Sequence, residues 1–322
     1  MDKAQELFDA AVQAEEAGDA EKAIRLYEQS SLVDPQTPLP RLRLAFLLYE
    51  EGKWKEAIRV GRQLAKRWPR AHPAYSVIGH SYRELGRLTI AERYFRKAVN
   101  IKKEVPLLVF LGDALRSLER TDEAEECFRE ALELEPDNEE VHLNLGRVYI
   151  EKGEFTLAEK HLKRAIELDQ NYALAYAFLG ELLSKPKENR TREAAGILKR
   201  AVELNPDDRW SRAYLANALW TLRRLKAAEE QCRRLLELWP NDPMSYWLYG
   251  DLLACERDDS STAEWYLRKA VELEPKNEFA NYHLGKHLLY WDRKEEARRF
   301  LTDAARLGDA RARALLQQIE YD

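Results

Sequence analysis

Cysteines and long apolar runs are both scarce in this sequence. Only three of the 322 residues are cysteines, Cys127, Cys232 and Cys255, and none belongs to a CxxC pair. The sequence therefore indicates neither a disulfide framework nor a cysteine-based zinc site. No apolar run approaches the roughly 20 residues that a membrane-spanning helix needs, and the first residues, MDKAQELF, lack the features of a secretory signal. We expect a protein of the reducing cytoplasm without a transmembrane segment.

A large excess of one charge sign is also missing. The sequence has 52 lysines and arginines against 57 aspartates and glutamates, a formal net charge of −5. A charge of this sign disfavours a protein that coats nucleic acid or an anionic membrane. Hydrophobic residues make up 45% of the chain, which is enough to bury a core and excludes a disordered tail. We expect a folded protein for which nucleic acid is an unlikely partner.

Recognisable catalytic motifs are lacking as well. His283 and His287 lie four residues apart and would share one side of a helix, but the sequence offers no HExxH and no third ligand for a metal site. The glycines do not form a phosphate-cradling loop, and no nucleophile can be assigned together with a histidine and an aspartate. We therefore expect a protein that is not an enzyme and that carries no metal and no cofactor.

What the sequence does contain is a repeat of about 34 residues. Small residues recur in two ladders at intervals of 33 to 36 residues. The first ladder consists of Ala11, Ala45, Gly79, Gly112, Gly146, Gly180, Ala216, Gly250 and Gly285. The second follows 12 to 14 residues later and consists of Ala23, Ala57, Ala91, Ala124, Ala158, Ala194, Ala228, Ala263 and Ala297. In six repeats a proline falls 12 residues after the alanine of the second ladder, where a helix must stop.

Each repeat has the pattern of two amphipathic helices joined by a turn. In the fifth repeat, apolar residues recur at helical spacing on both sides of the turn at Gly153. Small residues at the crossing of two helices let the backbones approach closely, so the two ladders predict where the helices of each pair touch. The intervals shorten once, between Asn100 and Glu104, where the expected proline is also missing. They lengthen within residues 184–192 and 256–261.

These marks resemble the tetratricopeptide repeat. The third repeat matches its pattern at Tyr75, Ile78-Gly79, Tyr82, Ala91, Phe95 and Ala98, and the fifth at Leu145-Gly146, Tyr149, Ala158 and Ala165. The resemblance implies an all-α protein, a right-handed α-solenoid of nine helix-turn-helix repeats. The array would form a single domain over residues 4–308. Gly308-Asp309 reads as a helix stop followed by a new cap, which predicts a C-terminal capping helix over residues 309–322.

In that family, the first helices line a concave groove that holds a peptide or a partner protein. The resemblance places an aromatic wall in the groove of the last three repeats, where the groove positions include Trp210, Tyr214, Asn217, Trp220, Trp247, Asp251, Phe279, Tyr282, His283 and Lys286. Six of the eight tryptophans lie in this part of the chain, a composition typical of an interface core. The alternative is that the rings simply pack between adjacent helices.

The groove of the third to fifth repeats is different in character. Arg83, Arg116 and Arg147 would approach one another there, together with Asn144, and arginine forks suit a carboxylate from a peptide. The alternative is an internal ion-pair network with Asp113 and Glu151. The Lys, Asn and Arg pattern with which some family members clamp the terminal carboxylate of chaperones does not fit, because the following repeat supplies Leu174 and Phe178.

A second possible interaction surface is the turn edge of the sixth and seventh repeats. Seven basic residues cluster there against two glutamates, Glu188 and Glu193. They are Lys185, Lys187, Arg190, Arg192, Arg223, Arg224 and Lys226. This edge supports the alternative function of an adaptor that contacts nucleic acid or another anionic surface. The interleaved aromatic residues that stack on bases are missing from it, so a protein scaffold with a peptide in the concave groove is the main prediction.

Overall fold

The computed structural model describes residues 3–185, 190–255 and 260–321. Within these ranges it contains nineteen helices and no strand. The helices pack into two compact units, residues 1–168 and residues 169–322. The prediction of a single domain over residues 4–308 stays a prediction. No helix in the described ranges combines the length and the apolar character needed to cross a membrane.

Unit 1 contains five helical hairpins, each made of a first and a second helix. The helices are α1 Lys3–Glu16, α2 Ala20–Val33, α3 Leu39–Glu50, α4 Trp54–Arg67, α5 His72–Glu84, α6 Leu88–Ile101, α7 Val105–Ser117, α8 Thr121–Leu134, α9 Glu139–Lys152 and α10 Phe155–Leu168. Unit 2 contains four hairpins and a last helix. Its helices are α11 Ala173–Leu183, α12 Thr191–Leu204, α13 Arg209–Thr221, α14 Leu225–Leu238, α15 Pro243–Cys255, α16 Ser260–Leu273, α17 Glu278–Tyr290, α18 Lys294–Leu307 and α19 Ala310–Tyr321.

The two ladders of small residues lie at the helix crossings, as the repeat analysis predicts. A methyl group added to Gly79 would come within 2.6 Å of Phe95, and one added to Gly112 would come within 2.7 Å of Phe128. Both phenylalanines are fully buried, so neither ring can move aside. Glycine on six of the nine first helices therefore makes room for a large side chain 16 to 18 residues later. The prediction of nine hairpins is confirmed.

The predicted capping helix is also confirmed. Gly308 ends α18 with a φ of 118°, a left-handed conformation that glycine adopts without strain. Asp309 then accepts hydrogen bonds from the backbone N–H groups of Arg311 at 2.8 Å and Ala312 at 3.1 Å, so it caps α19. Ala312 and Ile319 are buried against the end of unit 2. The helix thus covers an apolar face that the last hairpin would otherwise expose.

The two lengthened turns fall largely outside the described residues, which omit 186–189 and 256–259. The shortened junction between the third and fourth repeats is described. Only Lys102, Lys103 and Glu104 separate α6 from α7, and no side chain caps the start of α7. At the next junction Asn138 accepts a hydrogen bond from the N–H of Val141 at 3.1 Å and caps α9.

We expect faster backbone hydrogen exchange from Asn100 to Val105 than around Pro136. The reason is that a helix start without a cap frays more easily, and each repeat is held only by its neighbours. Hydrogen–deuterium exchange followed by mass spectrometry measures both segments in the same sample. The prediction would be contradicted by equal protection of the two junctions or by slower exchange at Asn100 to Val105.

Candidate binding groove

A groove in unit 2 brings together most of the residues of the predicted aromatic wall. It is a cavity of about 480 Å³ between the first helices α13, α15 and α17. Seven of the predicted residues line it, namely Trp210, Tyr214, Asn217, Trp247, Asp251, Phe279 and His283. They share one side because residues three and four apart lie on the same face of a helix.

The helix starts are fixed by side-chain caps on either side of this groove. Asp208 accepts hydrogen bonds from the backbone N–H groups of Trp210 at 3.3 Å and Ser211 at 3.2 Å. Asn277 accepts one from the N–H of Ala280 at 2.9 Å. Each cap sets the residue at which its helix begins. Because of these caps, Trp210 lies in the first turn of α13 and Phe279 in the first turn of α17, at the edge of the groove.

Three rings stack at the centre of the groove. Trp247 lies nearly parallel to Phe279, with centroids 5.8 Å apart and an angle of 19°, and to His283, at 4.8 Å and 10°. Trp247 is partly buried and packs against two core clusters of unit 2. Trp210 and Phe279 remain 53% and 43% exposed. The centre of the groove is thus half-buried and its rim is exposed. Packing between adjacent helices covers part of Trp247 but leaves Trp210 exposed.

A charged group closes one side of the stack. Lys286 donates a hydrogen bond from Nζ to Oδ1 of Asp251 at 2.7 Å. Nδ1 of His283 lies 2.9 Å from the same oxygen. Burial by itself raises the pKa of Asp251, but the contacts with His283 and Lys286 outweigh it and hold the pKa well below its ordinary value. Asp251 is thus an ionised carboxylate in a largely apolar groove.

The capping helix contributes a residue that the repeat pattern could not reveal. The guanidinium of Arg311 lies 4.1 Å from the ring centre of Tyr282 and 5.5 Å from that of Phe279, within the range of a cation–π interaction. Asp309 holds the same guanidinium at 2.5 Å. Arg311 follows the last repeat, so the register of groove positions does not reach it. The signal that was available is its place two residues after the predicted cap Asp309.

The groove continues along α13 into a second cavity of about 400 Å³. Trp210 and Tyr214 line both cavities, and Leu174, Phe178 and Glu181 of α11 complete the second one. Leu174 is exposed. Burial, together with the neighbouring Glu181, raises the pKa of Tyr214 to about 12, so its hydroxyl stays protonated. The sequence analysis used Leu174 and Phe178 only to exclude a chaperone clamp and did not assign Glu181 to the groove.

The other predicted wall residues, Trp220, Tyr282 and Lys286, do not line the cavity. Tyr282 packs under Arg311, and Lys286 contacts Asp251. Trp220 is half-buried, and its Nε1 has no hydrogen-bond partner within the described part of the chain. His287 does not complete a metal site with His283, since no group of three metal-ligating residues occurs in the described ranges.

The predicted arginine cluster of unit 1 forms largely internal contacts. Arg116 pairs with Glu151 at 2.7 Å and lies 3.8 Å from Asp113. Arg147 donates to Asn144 at 3.1 Å and lies 4.0 Å from Asp113, while Arg83 contacts Glu84 at 3.4 Å. Burial raises the pKa of Asp113 in spite of the opposing effect of Arg147, Arg116 and Arg83. Arg116 and Arg147 thus take part in the internal network with Asp113 and Glu151 that the sequence left open, whereas Arg83 pairs with its neighbour Glu84. A role of these arginines in binding a peptide stays a prediction.

The basic turn edge of the sixth and seventh repeats is only partly described. Lys187 and Glu188 lie outside the described residues. Arg190, at the start of α12, forms two hydrogen bonds of 2.8 Å with Glu193, so its charge is matched within the chain. The use of this edge as an anionic-surface site stays a prediction.

Comparison with known proteins agrees with the helical hairpins. Models described as tetratricopeptide repeat match residues 14–77, 115–182, 187–243 and 72–104. The chain is 26% identical to human protein O-mannosyl-transferase TMTC1 over 219 residues, which are 67% of this chain and 24% of that protein. It is 26% identical to anaphase-promoting complex subunit CDC16 of Saccharomyces cerevisiae over 206 residues, 62% of this chain and 24% of that protein. The chain spans about a quarter of the length of both relatives.

Solved structures support the same fold. The APC/C hetero-tetramer Cut9-Hcn1 matches with a TM-score of 0.64 and 18% identity over 84% of this chain and 52% of that chain. A tetratricopeptide repeat protein from Parabacteroides merdae matches with a TM-score of 0.64 and 19% identity over 77% of this chain and 98% of that one. The family models cover more than half of the sequence, and the chain therefore belongs to the tetratricopeptide-repeat family.

Proposed function

We propose that this chain is a protein-interaction scaffold that binds a segment of a partner protein in the groove of unit 2. One observation carries the proposal. Trp210 and Phe279 expose 53% and 43% of their surface on the rim of a concave, aromatic-lined cavity. Large exposed rings beside a concave site are typical of hot spots at protein interfaces. Family membership supports the coarser role of a scaffold, and the name of the relative CDC16 is that of a subunit of a protein complex.

The shape of the groove indicates the kind of segment. Its two cavities of about 480 and 400 Å³ share Trp210 and Tyr214, which lie between them. A bound segment would therefore place one bulky apolar side chain in each cavity. Glu181 lies at the α11 end and Arg311 at the α19 end. Charge complementarity favours a segment with a basic residue near Glu181 and an acidic residue near Arg311. No catalytic step is part of this proposal.

The proposal is tested with peptides selected from a random twelve-residue display library on the intact chain. The best peptide is synthesised and titrated against the wild-type chain, Trp210→Ala and Trp265→Ala. Trp265 is the matched control because it is 57% exposed on the second helix α16, outside the groove. We expect Trp210→Ala to weaken binding by about 2 kcal/mol, roughly thirtyfold, and Trp265→Ala to leave it unchanged.

Two results would reject the groove as the binding site. One is equal binding by the wild-type chain and Trp210→Ala. The other is a loss of binding by Trp265→Ala that matches the loss by Trp210→Ala, since it would place the peptide on the outer helices. Circular dichroism of both variants confirms that each keeps its helices.

A further inference from the structure

The whole-chain charge of −5 conceals a strongly basic segment. Between Lys53 and Lys103 the sequence has fourteen lysines and arginines but only three acidic residues, Glu56, Glu84 and Glu92. Much of this charge lies on α4 and α6, the second helices of two neighbouring hairpins. A local field of one sign attracts oppositely charged groups even when the whole protein has the other sign. The segment therefore differs from the rest of the acidic chain.

A cleft between these two helices collects several of the charges. It has a volume of about 470 Å³, and its lining contains Arg62 of α4, Arg93, Arg96 and Lys97 of α6, and the rings of Tyr82 and Tyr94. No carboxylate lines it. The cleft lies in unit 1 and shares no residue with the groove of unit 2.

Most of the cations around the cleft lack an acidic partner in the chain. Arg96 is already paired, with Glu92 at 2.7 Å and Glu123 at 3.1 Å. By contrast, Arg93 and Lys97 are exposed, and within the described ranges neither has a carboxylate oxygen within 4.0 Å. Arg62 donates a hydrogen bond to the hydroxyl of Tyr82 at 2.6 Å rather than to a carboxylate. The cleft thus holds positive charge that internal ion pairs do not neutralise.

The same stripe continues along α4 on both sides of Arg62. Arg59 lies three residues before it and Lys66 four residues after it, so all three share one face of the helix. Both are exposed, and neither has an ion-pair partner in the part of the chain that the structure describes. Planar guanidinium groups bind carboxylates in a bidentate manner. The face as a whole suits a ligand with several negative charges.

Nucleic acid fits this face less well than a protein segment does. Tyr82 and Tyr94 stack on each other with centroids 5.8 Å apart, and their rings are also in contact with Arg62 and Lys97. Their faces are therefore not free to stack on bases. The acidic helix α8, with six carboxylates and one arginine, runs beside α6, so it would repel a long polyanion that continued past the cleft.

We propose that the cleft between α4 and α6 is a second docking site, which binds a short acidic segment of a partner protein. Carboxylates of that segment pair with Arg93 and Lys97 in the cleft and with Arg59 or Lys66 along α4. The chain then has two separate recognition sites of different chemistry, an aromatic groove in unit 2 and a basic cleft in unit 1. A negative result at the basic cleft would therefore not contradict the proposed groove of unit 2, and a negative result at the groove would not contradict the cleft.

The test uses a fluorescein-labelled peptide of ten glutamates and the full chain. Fluorescence anisotropy at low salt is expected to show binding that weakens as NaCl is added. Arg93→Glu/Lys97→Glu should lower the affinity about tenfold or more, because two attractive charges become repulsive. The matched control is Lys22→Glu/Arg25→Glu, which makes the same charge change at two exposed residues of the second helix α2. It should change the affinity by no more than about twofold, because neither residue lines the cleft or belongs to the face of Arg59, Arg62 and Lys66.

Other outcomes would overturn the proposal. Equal losses in the cleft variant and the control would mean that only net charge matters. Tighter binding of a ten-nucleotide oligothymidine than of the glutamate peptide would assign the cleft to nucleic acid. Concentration-dependent self-association in sedimentation velocity, abolished by Arg93→Glu/Lys97→Glu and by Glu126→Lys/Glu133→Lys, would make α8 of a second copy the occupant. If the cleft variant loses helicity, Arg59→Glu/Lys66→Glu on α4 replaces it.

Discussion

Replacing Trp247 with alanine is expected to destabilise α15 and α17 by about 3 kcal/mol, the lower end of the cost of truncating a buried aromatic residue, because the ring is partly buried. The ring stacks on Phe279 and His283 and packs against two core clusters of unit 2. Its removal leaves a void and separates two helices. Native-state hydrogen exchange of the intact chain measures the effect locally, which matters because repeat arrays often do not unfold in a single step. Protection of α15 and α17 should fall about a hundredfold.

Trp210→Ala is the matched control for this prediction. Trp210 lines the same groove but is 53% exposed, so we expect its loss to cost less than about 1 kcal/mol of stability. The two variants therefore separate structural from recognition roles within one wall. Equal protection in Trp247→Ala and the wild type would show that the stack contributes little and that Trp247 is available to a partner. A large loss of protection in Trp210→Ala would place that ring in the core.

The sequence predicted the helical framework closely because the packing of each hairpin restricts residue size. Gly79 and Gly112 leave space for Phe95 and Phe128, and no other residue type satisfies that contact without a shift. A small residue therefore recurs in the sequence at each crossing of the two helices of a hairpin. Seven of the nine first helices, from α5 at His72 to α17 at Glu278, begin seven residues before the small residue of the first ladder. The same register placed Trp210, Trp247 and Phe279 on one concave surface.

The details of the sites were less accessible, because they depend on side-chain choices and on residues outside the repeat. Stacking of Trp247 on His283 requires specific rotamers that spacing does not encode. Arg311 belongs to the capping helix and has no repeat position. The pairing of Arg116 with Glu151 joins residues 35 apart, and so does the contact of Lys286 with Asp251. Opposite charges one repeat apart on first helices are therefore a usable signal, which supported the alternative of an internal pair for Arg116 and Glu151 but was not applied to Lys286 and Asp251.

The basic segment between Lys53 and Lys103 was missed for a different reason. A net charge of −5 averages a basic stretch with acidic surroundings, so it says little about any one face. Counting charges helix by helix separates α4, with five basic residues and one glutamate, from α8, with one arginine and six carboxylates. In an array of repeats, successive second helices lie side by side, as the pair of Arg96 and Glu123 shows. The charges counted on each second helix therefore indicate the charge of the surface that this helix forms.

Replacing Asp251 with alanine is expected to lower the free energy of unfolding by about 3 kcal/mol at pH 7, because breaking a buried ion pair leaves its partners uncompensated. The carboxylate is largely buried and contacts both His283 and Lys286. Asp251→Asn should cost less, since an amide oxygen still accepts a hydrogen bond from Lys286. Native-state hydrogen exchange of α15 and α17 in the intact chain gives the difference. Asp303→Ala is the control, because Asp303 lies on α18 and makes only a surface contact with Arg306 at 3.7 Å.

The pH dependence distinguishes this charge effect from a simple loss of packing. The pKa of Asp251 is held well below its ordinary value in the folded chain, whereas in the unfolded chain it returns to about 3.9. Its contribution is therefore fully present above that value and is lost progressively as the pH falls below it, since the unfolded state then binds a proton more readily than the folded state. The difference between the wild type and Asp251→Ala should narrow between pH 5 and pH 3, on the order of 1 kcal/mol. A difference that stays constant over this range would assign the effect to packing, and the groove would then lack the ionised carboxylate that we place beside the ring stack.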